Sequence, residues 1–206
     1  MSNLENDLIK CLELIDADWN MQNNYQDKKT NFIYKCKTLD DCLYQINLNK
    51  VDEQYALHRW YNYMTSIVCE NIFCEFGAIH EKDIYNHDVD IYIDGIPFDV
   101  KVTIYPAKLS NRPYDLKKRE GKNSMIKWYY EHQSQQSRKQ LLNRLYVVCD
   151  SSDPYECLKM KSNFSLLREK IGAFMKHSLT NGVNEITIID NNQLFKLKSD
   201  IIYITQ

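Results

Sequence analysis

Apolar residues recur at helical spacing at the start of the chain. The residues of 3–20 that share one helical face are Leu4, Leu8, Ile9, Leu12, Ile15 and Trp19. Apolar positions three or four residues apart are typical of an amphipathic helix, so we expect a helix over this range. The polar residues 21–30 then predict a loop.

Two more helices are expected before the pattern changes. Residues 38–47 predict a short helix, with Thr38 or Asp40 as its N-cap. Residues 52–76 are broadly apolar around the helix circumference, which indicates a longer and deeply packed helix. Gly77 would end it, because glycine adopts the left-handed conformation that follows many helices.

Beyond this glycine the apolar residues recur with a period of two, which is typical of strands. We expect strands over 78–85, 88–93 and 96–104. The Asp94-Gly95 dipeptide between the last two is the strongest hairpin signal in the sequence. Such dipeptides favour the positive φ angles of a two-residue turn.

The second half of the chain alternates between helical and strand patterns. The expected elements are a loop at 106–122, a helix at 123–142, a strand at 144–149, a helix at 163–178, and closing strands at 185–190 and 200–205 joined around Asn191-Asn192. With the earlier elements, this order predicts an α/β fold in which helices flank a mixed sheet.

The predicted turn fixes the register of the central hairpin. Ile93 would pair with Ile96, and three positions further out Asp90 would face Asp99. Alternation puts this pair at a non-hydrogen-bonded position, where Cβ atoms are about 4.5–5.5 Å apart. Lys101 lies two residues beyond Asp99 and therefore projects from the same face.

Two opposed carboxylates and a lysine indicate metal-assisted chemistry. The carboxylates repel each other, and a divalent cation between them removes that repulsion. Oxygen ligands are the ones that Mg²⁺ and Mn²⁺ prefer. A lysine beside the ion would position the attacking water and stabilise negative charge developing on phosphorus. The structural alternative is a solvent-facing strand edge whose polar residues have no catalytic role.

The segment from Asp90 through the turn to Asp99-Val100-Lys101 resembles the signature of the PD-(D/E)XK nuclease superfamily. The resemblance covers about half of the chain, and Val89 stands where the family often has proline. It implies a restriction-endonuclease-like mixed sheet flanked by helices. It also implies that Asp90, Asp99 and the Val100 carbonyl hold the metal and that Lys101 assists the reaction. Residues 1–50 would then be a helical N-terminal extension packed on the core, and residues 51–206 the nuclease-like domain.

The resembled family usually adds an acid from the helix before the first strand. Glu70 and Glu75 both qualify by residue type, and Glu53 is the next alternative. The first strand is expected to run back along this helix, so an acid near Asp90 must lie some turns before Gly77, at about 1.5 Å per residue. Glu70 meets this condition better, although Glu75 lies nearer the centre of the apolar arc. We therefore expect Glu70 to complete the catalytic and metal-binding set.

Basic residues cluster after the hairpin, at Lys108, Arg112, Lys117, Lys118, Arg119, Lys122 and Lys127. They predict a phosphate-contacting rim, chiefly Lys117, Lys118 and Arg119, and the alternative is a solvated loop. The resemblance further implies that the next helix supplies a polar residue to the site, for which Gln136 and Lys139 are the candidates.

The composition excludes several other classes of protein. With 44% hydrophobic residues, 26% charged residues and a net charge of −2, the chain is typical of a globular protein and not of one that wraps nucleic acid. The seven cysteines are odd in number and contain no Cys-x-x-Cys pair, which argues against a zinc ribbon or a disulfide framework. Neither a signal-peptide pattern nor an apolar stretch of membrane-spanning length occurs, so we expect a cytoplasmic protein.

The sequence therefore predicts a nuclease that depends on Mg²⁺ or Mn²⁺ and hydrolyses phosphodiester bonds, with DNA expected as the substrate over RNA. A homodimer is left open. The alternative is a catalytically inactive module of the same fold that binds nucleic acid or protein. The opposed carboxylates argue against it, because a module that only binds has no physical reason to keep them.

Overall fold

The computed structural model describes residues 3–17, 23–83, 85–86, 88–132 and 140–205. The helices are α1 (Asn3–Leu12), α2 (Asn24–Lys29), α3 (Leu39–Asn49), α4 (Glu53–Glu75), α5 (Arg119–Glu131), α6 (Pro154–Ser162) and α7 (Phe164–Asn181). The strands are β1 (Ile79–His80), β2 (Ile91–Ile93), β3 (Ile96–Ile104), β4 (Arg144–Cys149), β5 (Glu185–Asp190) and β6 (Gln193–Ile204). Short 3-10 turns cover Asn31–Lys35 and Ala107–Leu109.

Within the described residues, six strands form one sheet in the order β1-β2-β3-β4-β6-β5. Strand β2 pairs antiparallel with both β1 and β3, strands β3, β4 and β6 run parallel to one another, and β5 is antiparallel to β6. One buried cluster joins the N-terminal helices, α4 and α7 to one face of the sheet. A second cluster fills the space between α5 and the other face. The predicted α/β fold with a mixed sheet is confirmed.

Several predicted element ends are confirmed by their caps. The Thr38 hydroxyl accepts a hydrogen bond from the Asp41 N–H and begins α3. Asp52 caps α4 in the same way, and Gly77, which follows that helix, has φ +101°. The expected strand at 144–149 coincides with β4.

Other predicted elements differ because tertiary contacts intervene. The helix expected over 3–20 ends at Leu12. Just beyond this end, the side chain of Gln54 donates to the Leu14 carbonyl and accepts from the Asp16 N–H. The expected loop at 21–30 contains α2, which Asn23 caps through its side chain.

The pairing of neighbouring strands also changed several lengths. The strands expected at 78–85 and 88–93 are reduced to β1 and β2. The last strand starts at Gln193, seven residues earlier than expected, because it pairs along all of β5. Helix α5 begins four residues earlier than expected, at Arg119, and ends at Glu131, and residues 140–142 of the expected helix are not helical. Helix α6 was not anticipated from the sequence.

The segment expected to be an N-terminal extension contributes to the main core. Leu8 and Cys11 of α1 and Cys42 of α3 are fully buried in the same cluster as Trp60 of α4. In the part of the chain that the structure describes, no helix is long and apolar enough to cross a membrane.

Candidate active site

The hairpin that carries the acids has the predicted register at its three paired positions, whereas the predicted pairing of Asp90 with Asp99 is not formed, because the Asp90 N–H bonds to Phe98. Ile91 pairs with Phe98, and φ is +50° at Asp94 and +75° at Gly95. Positive φ at both turn residues matches the twist of the two strands and fixes the pairing. The prediction from the Asp-Gly dipeptide is confirmed.

Asp90 lies one residue outside β2 and is tied to β3. Its N–H donates to the Phe98 carbonyl at 2.9 Å, and its Oδ2 accepts from the Val100 N–H at 2.7 Å. Phe98 also pairs with Ile91, so two residues of one strand face one residue of the other, which is the arrangement of a β-bulge. A carboxylate therefore takes the place of a backbone carbonyl beside β3.

Asp99 lies between two cations. It is only 4% exposed, and its Oδ1 accepts from Lys101 Nζ at 2.5 Å. Its Oδ2 lies 2.8 Å from Arg144 Nε, an ion pair whose N–H direction misses hydrogen-bond geometry. Arg144 is also buried and stands opposite Asp99 in the parallel pairing of β3 and β4.

Glu70 reaches this cluster from α4. Its pKa is raised to about 7, chiefly by burial and then by the negative charge of Asp90; Lys101 lowers the pKa, and Asp99 adds a smaller rise. Burial likewise raises the pKa of Asp90, opposed by the hydrogen bond from Val100 and assisted by Asp99, whose side chain contacts it. Asp90, Asp99 and Lys101 thus lie on one hairpin, and Glu70 of α4 interacts electrostatically with all three.

The two alternative acids of α4 lie elsewhere. Glu75 is exposed and accepts two hydrogen bonds from Arg168 of α7, at 2.8 and 3.0 Å, which hold its pKa below the usual value. Glu53 begins α4, seventeen residues before Glu70, which corresponds to about 25 Å of helix. Of the three candidates, Glu70 is the one whose pKa responds to the charges of the hairpin.

The acids fit a divalent cation in type but are not arranged around one. Among the described residues, no three His, Cys, Asp or Glu side chains are placed to hold a metal ion. The donors are carboxylates, the ligands that hard cations prefer. Burial and neighbouring negative charge disfavour the ionised forms of Glu70 and Asp90, and a cation would relieve both effects. A metal ion would compete with Lys101 for Asp99.

The predicted basic rim is largely engaged in internal contacts. Lys117 is exposed, but Lys118 Nζ lies 3.3 Å from Asp115 Oδ2, and Arg119 pairs with the buried Asp200 at 2.8 Å. Gln136 and Lys139 lie outside the described residues.

Sequence reasoning missed Arg144 and its support. Gln140 accepts a hydrogen bond from Arg144 at 3.3 Å and donates one to Asp88 at 3.2 Å, next to the bulge at Asp90. The sequence indicates Arg144 only as a charged residue at the start of the apolar strand Arg144–Cys149. Its role beside Asp99 follows only from the pairing of β4 with β3.

Comparison of the chain with protein-family models, with curated proteins and with solved structures finds no match.

Proposed function

We propose that this protein is a divalent-metal-dependent nuclease that hydrolyses phosphodiester bonds, with DNA as its substrate. The observation that carries the proposal is the pairing of Asp99 with Lys101 on the hairpin, together with Asp90 and Glu70, whose raised pKa values reflect burial and the charges of this group. Perturbed acids that cluster beside a half-exposed lysine are typical of catalytic sites.

The order of elements supports a restriction-endonuclease-like core. Helix α4 precedes the antiparallel strands β1, β2 and β3, and α5 then leads to β4, which joins β3 in parallel. This is the order that the resemblance implies, and it puts the acids on α4, at the start of β2 and on β3.

Each residue has a distinct role in the proposal. Glu70, Asp90, Asp99 and the Val100 carbonyl would hold Mg²⁺ or Mn²⁺, which when bound supplies Lewis acidity at a phosphoryl oxygen and lowers the pKa of water. Lys101, whose side chain is 50% exposed, would orient the attacking water and stabilise charge on the phosphoryl group. Arg144 would keep the Asp99 carboxylate in place.

The test is incubation with plasmid DNA, single-stranded DNA and RNA, with Mg²⁺, Mn²⁺ or EDTA. We expect metal-dependent cleavage that falls at least about a hundredfold in Asp90→Asn. Lys101→Ala should lower turnover while keeping the rise in melting temperature that Mg²⁺ causes, because its role lies in the transition state. Asp94→Asn, at the exposed turn of the same hairpin, is the matched control and should behave as wild type.

One observation favours a second candidate, a module of the same fold that binds without cleaving. Both oxygens of Asp99 are held by Lys101 and Arg144, as in a structural ion-pair network. If no nucleic acid is cleaved with either metal, and Mg²⁺ leaves the melting temperature unchanged, this second candidate replaces the nuclease.

A further inference from the structure

The segment between α1 and α3 carries positive charge unlike the chain as a whole. Residues 23–37 contain four lysines, Lys28, Lys29, Lys35 and Lys37, against one acid, Asp27, a local net charge of +3 in a chain of −2. All four lysines are exposed and make no ion pair with any residue that the structure describes. Asp27 is held by Arg59 at 3.3 Å and by the Tyr55 hydroxyl at 2.6 Å.

Exposed aromatic rings lie among these lysines. Tyr25, Tyr34 and Tyr44 are 64%, 51% and 65% exposed, respectively. Lys29 Nζ lies 4.2 Å from the centroid of the Tyr25 ring. A groove of about 600 Å³ separates Lys35 from Tyr44 of α3; Asp41 is the single acid among its described lining residues. Exposed rings give nucleobases faces on which to stack, and adjacent lysines contact phosphates.

Arg59 of α4 binds several residues of this surface. Its guanidinium donates to the Asp27 carbonyl at 2.7 Å, to Thr30 Oγ1 at 2.6 Å and to the Tyr34 hydroxyl at 2.8 Å. The segment is therefore fixed on α4, and Tyr34 is held edge-on against Tyr63 at 4.9 Å between ring centroids.

One face of α4 joins this surface to the candidate active site. Arg59, Tyr63 and Glu70 are spaced by four and seven residues, so they lie along one stripe of the helix. Tyr63 contacts the Tyr34 ring and lies about two helical turns before Glu70 on the same stripe. The stripe from Arg59 to Glu70 is about 16 Å long, which several nucleotides of a strand would span.

We propose that residues 23–37, Tyr44 and the Arg59–Glu70 stripe of α4 form a binding surface for single-stranded nucleic acid that leads to the candidate active site. The route to the site rests on the proposed function, whereas the binding surface does not. The lysines contact phosphates, and the bases stack on the exposed tyrosine rings. A duplex keeps its bases stacked inside and offers them to none of these rings, so the surface selects single strands.

The test measures binding in EDTA, where cleavage does not interfere. Fluorescence anisotropy is recorded over a salt series with labelled single-stranded DNA, RNA of the same sequence, and the DNA duplex. The triple change Lys28→Ala, Lys29→Ala and Lys35→Ala should reduce the slope of log affinity against log salt by about two. Removing the same number of charges from α6 and α7, by Lys159→Ala, Lys170→Ala and Lys176→Ala, is the control and should leave the slope unchanged.

The stacking contribution is tested at Tyr44. Tyr44→Ala should weaken single-strand binding about tenfold or more, and Tyr44→Phe, which keeps the ring, should bind as wild type. Duplex bound as tightly as single strands, or a triple variant with wild-type affinity and slope, overturns the surface. Asp99→Asn, which lacks a proposed metal ligand, separates the two proposals. If wild type and Asp99→Asn bind single strands equally well and the wild type cleaves no nucleic acid, the binding surface stands without the nuclease. Cleavage with an unchanged KM in the triple variant leaves the nuclease without the surface.

Discussion

At the scale of single residues, the two acids of the hairpin are in different surroundings. Asp99 is buried between Lys101 and Arg144, whereas Asp90 is half-buried and accepts one backbone hydrogen bond from Val100. Glu70 receives no ion pair from a described residue and has a pKa of about 7. Ionisation in the folded protein is therefore disfavoured mainly at Glu70 and Asp90.

Glu70→Gln should reveal that cost through pH. The folded-state pKa of about 7 lies above the unfolded value, so the proton stabilises the folded protein fully below about pH 4.5, and this stabilisation is lost as pH rises through 7. Above pH 8 the variant should be more stable than wild type by about 2–3 kcal/mol, several degrees in melting temperature. Melting curves from pH 4 to 9 measure the difference. Glu75→Gln is the control, since the pKa of Glu75 is lowered and the variant should gain no stability at high pH.

Asp99→Asn should destabilise the metal-free protein. Repulsion from Asp90 alone would make the change stabilising, but it also leaves the buried Arg144 without its anion. Loss of one partner of a buried ion pair lowers the free energy of unfolding by roughly 3–5 kcal/mol. The loss should be smaller here, because Lys101, the second cation beside Asp99, is half exposed and can be solvated. In urea unfolding, Arg144→Met should cost a similar amount, and the double variant less than the sum of the two. Strict additivity would show that the two side chains do not interact.

At the scale of elements, α5 covers an edge that the sheet leaves open. Strand β5 pairs with β6 only as far as Lys198, so no described strand lies on that side of residues 199–204. Arg119 binds Asp200 there, and Lys122 Nζ donates to the Ile201 carbonyl at 2.6 Å. Arg119 and Lys122 of the basic cluster thus protect a strand edge and are less available to phosphates, whereas Lys108, Lys117 and Lys127 are exposed.

Gly121 lets the preceding loop pack against the first turns of α5. A Cβ atom at this position would overlap the backbone carbonyl of Asp115. Gly→Ala in a helix normally stabilises by about 0.5–1 kcal/mol, but Gly121→Ala should destabilise by about 1–3 kcal/mol because backbone must move. Ser124→Ala, exposed on the same helix, should be neutral or slightly stabilising. Thermal melts of both compare the two effects, and a more stable Gly121→Ala would contradict this packing.

At the scale of the whole molecule, one core extends from α1 to β6. Leu8 of α1, Trp60 of α4 and Ile202 of β6 belong to the same buried cluster. The N-terminal helices therefore help to hold α4, which carries both Glu70 and the face that leads to it.

Leu8→Ala tests whether this core unfolds as a unit. The loss of a fully buried leucine should cost about 2–5 kcal/mol and shift the entire transition. Tryptophan fluorescence and far-ultraviolet circular dichroism in urea should report the same midpoint. Leu48→Ala, at a position 62% exposed, should change stability by less than about 0.5 kcal/mol. An early transition confined to one probe would mean that residues 1–50 unfold separately.

The sequence by itself determined what depends on neighbours in the chain. The helical face of α4, the cap at Thr38 and the turn at Asp94-Gly95 follow from local spacing and backbone preference, and the register of β2 with β3 follows from that turn. The proximity of Asp99 and Lys101 needed only the alternation of a strand. The choice of Glu70 needed a spatial argument about the distance from the end of α4. Glu70 and Glu75 could be distinguished only once the packing of this helix was known.

Only the tertiary structure decided the contacts between distant segments. The partner of Asp99 is Arg144, forty-five residues away, and it adjoins the acid because β4 pairs with β3 in parallel. Gln54 ends α1 early, and Asp200 draws Arg119 away from the predicted rim, in each case across a long stretch of chain. Local periodicity reports which side of an element faces the core. Local periodicity carries no information about which charged side chains of distant segments meet, because that depends on the order of the strands in the sheet.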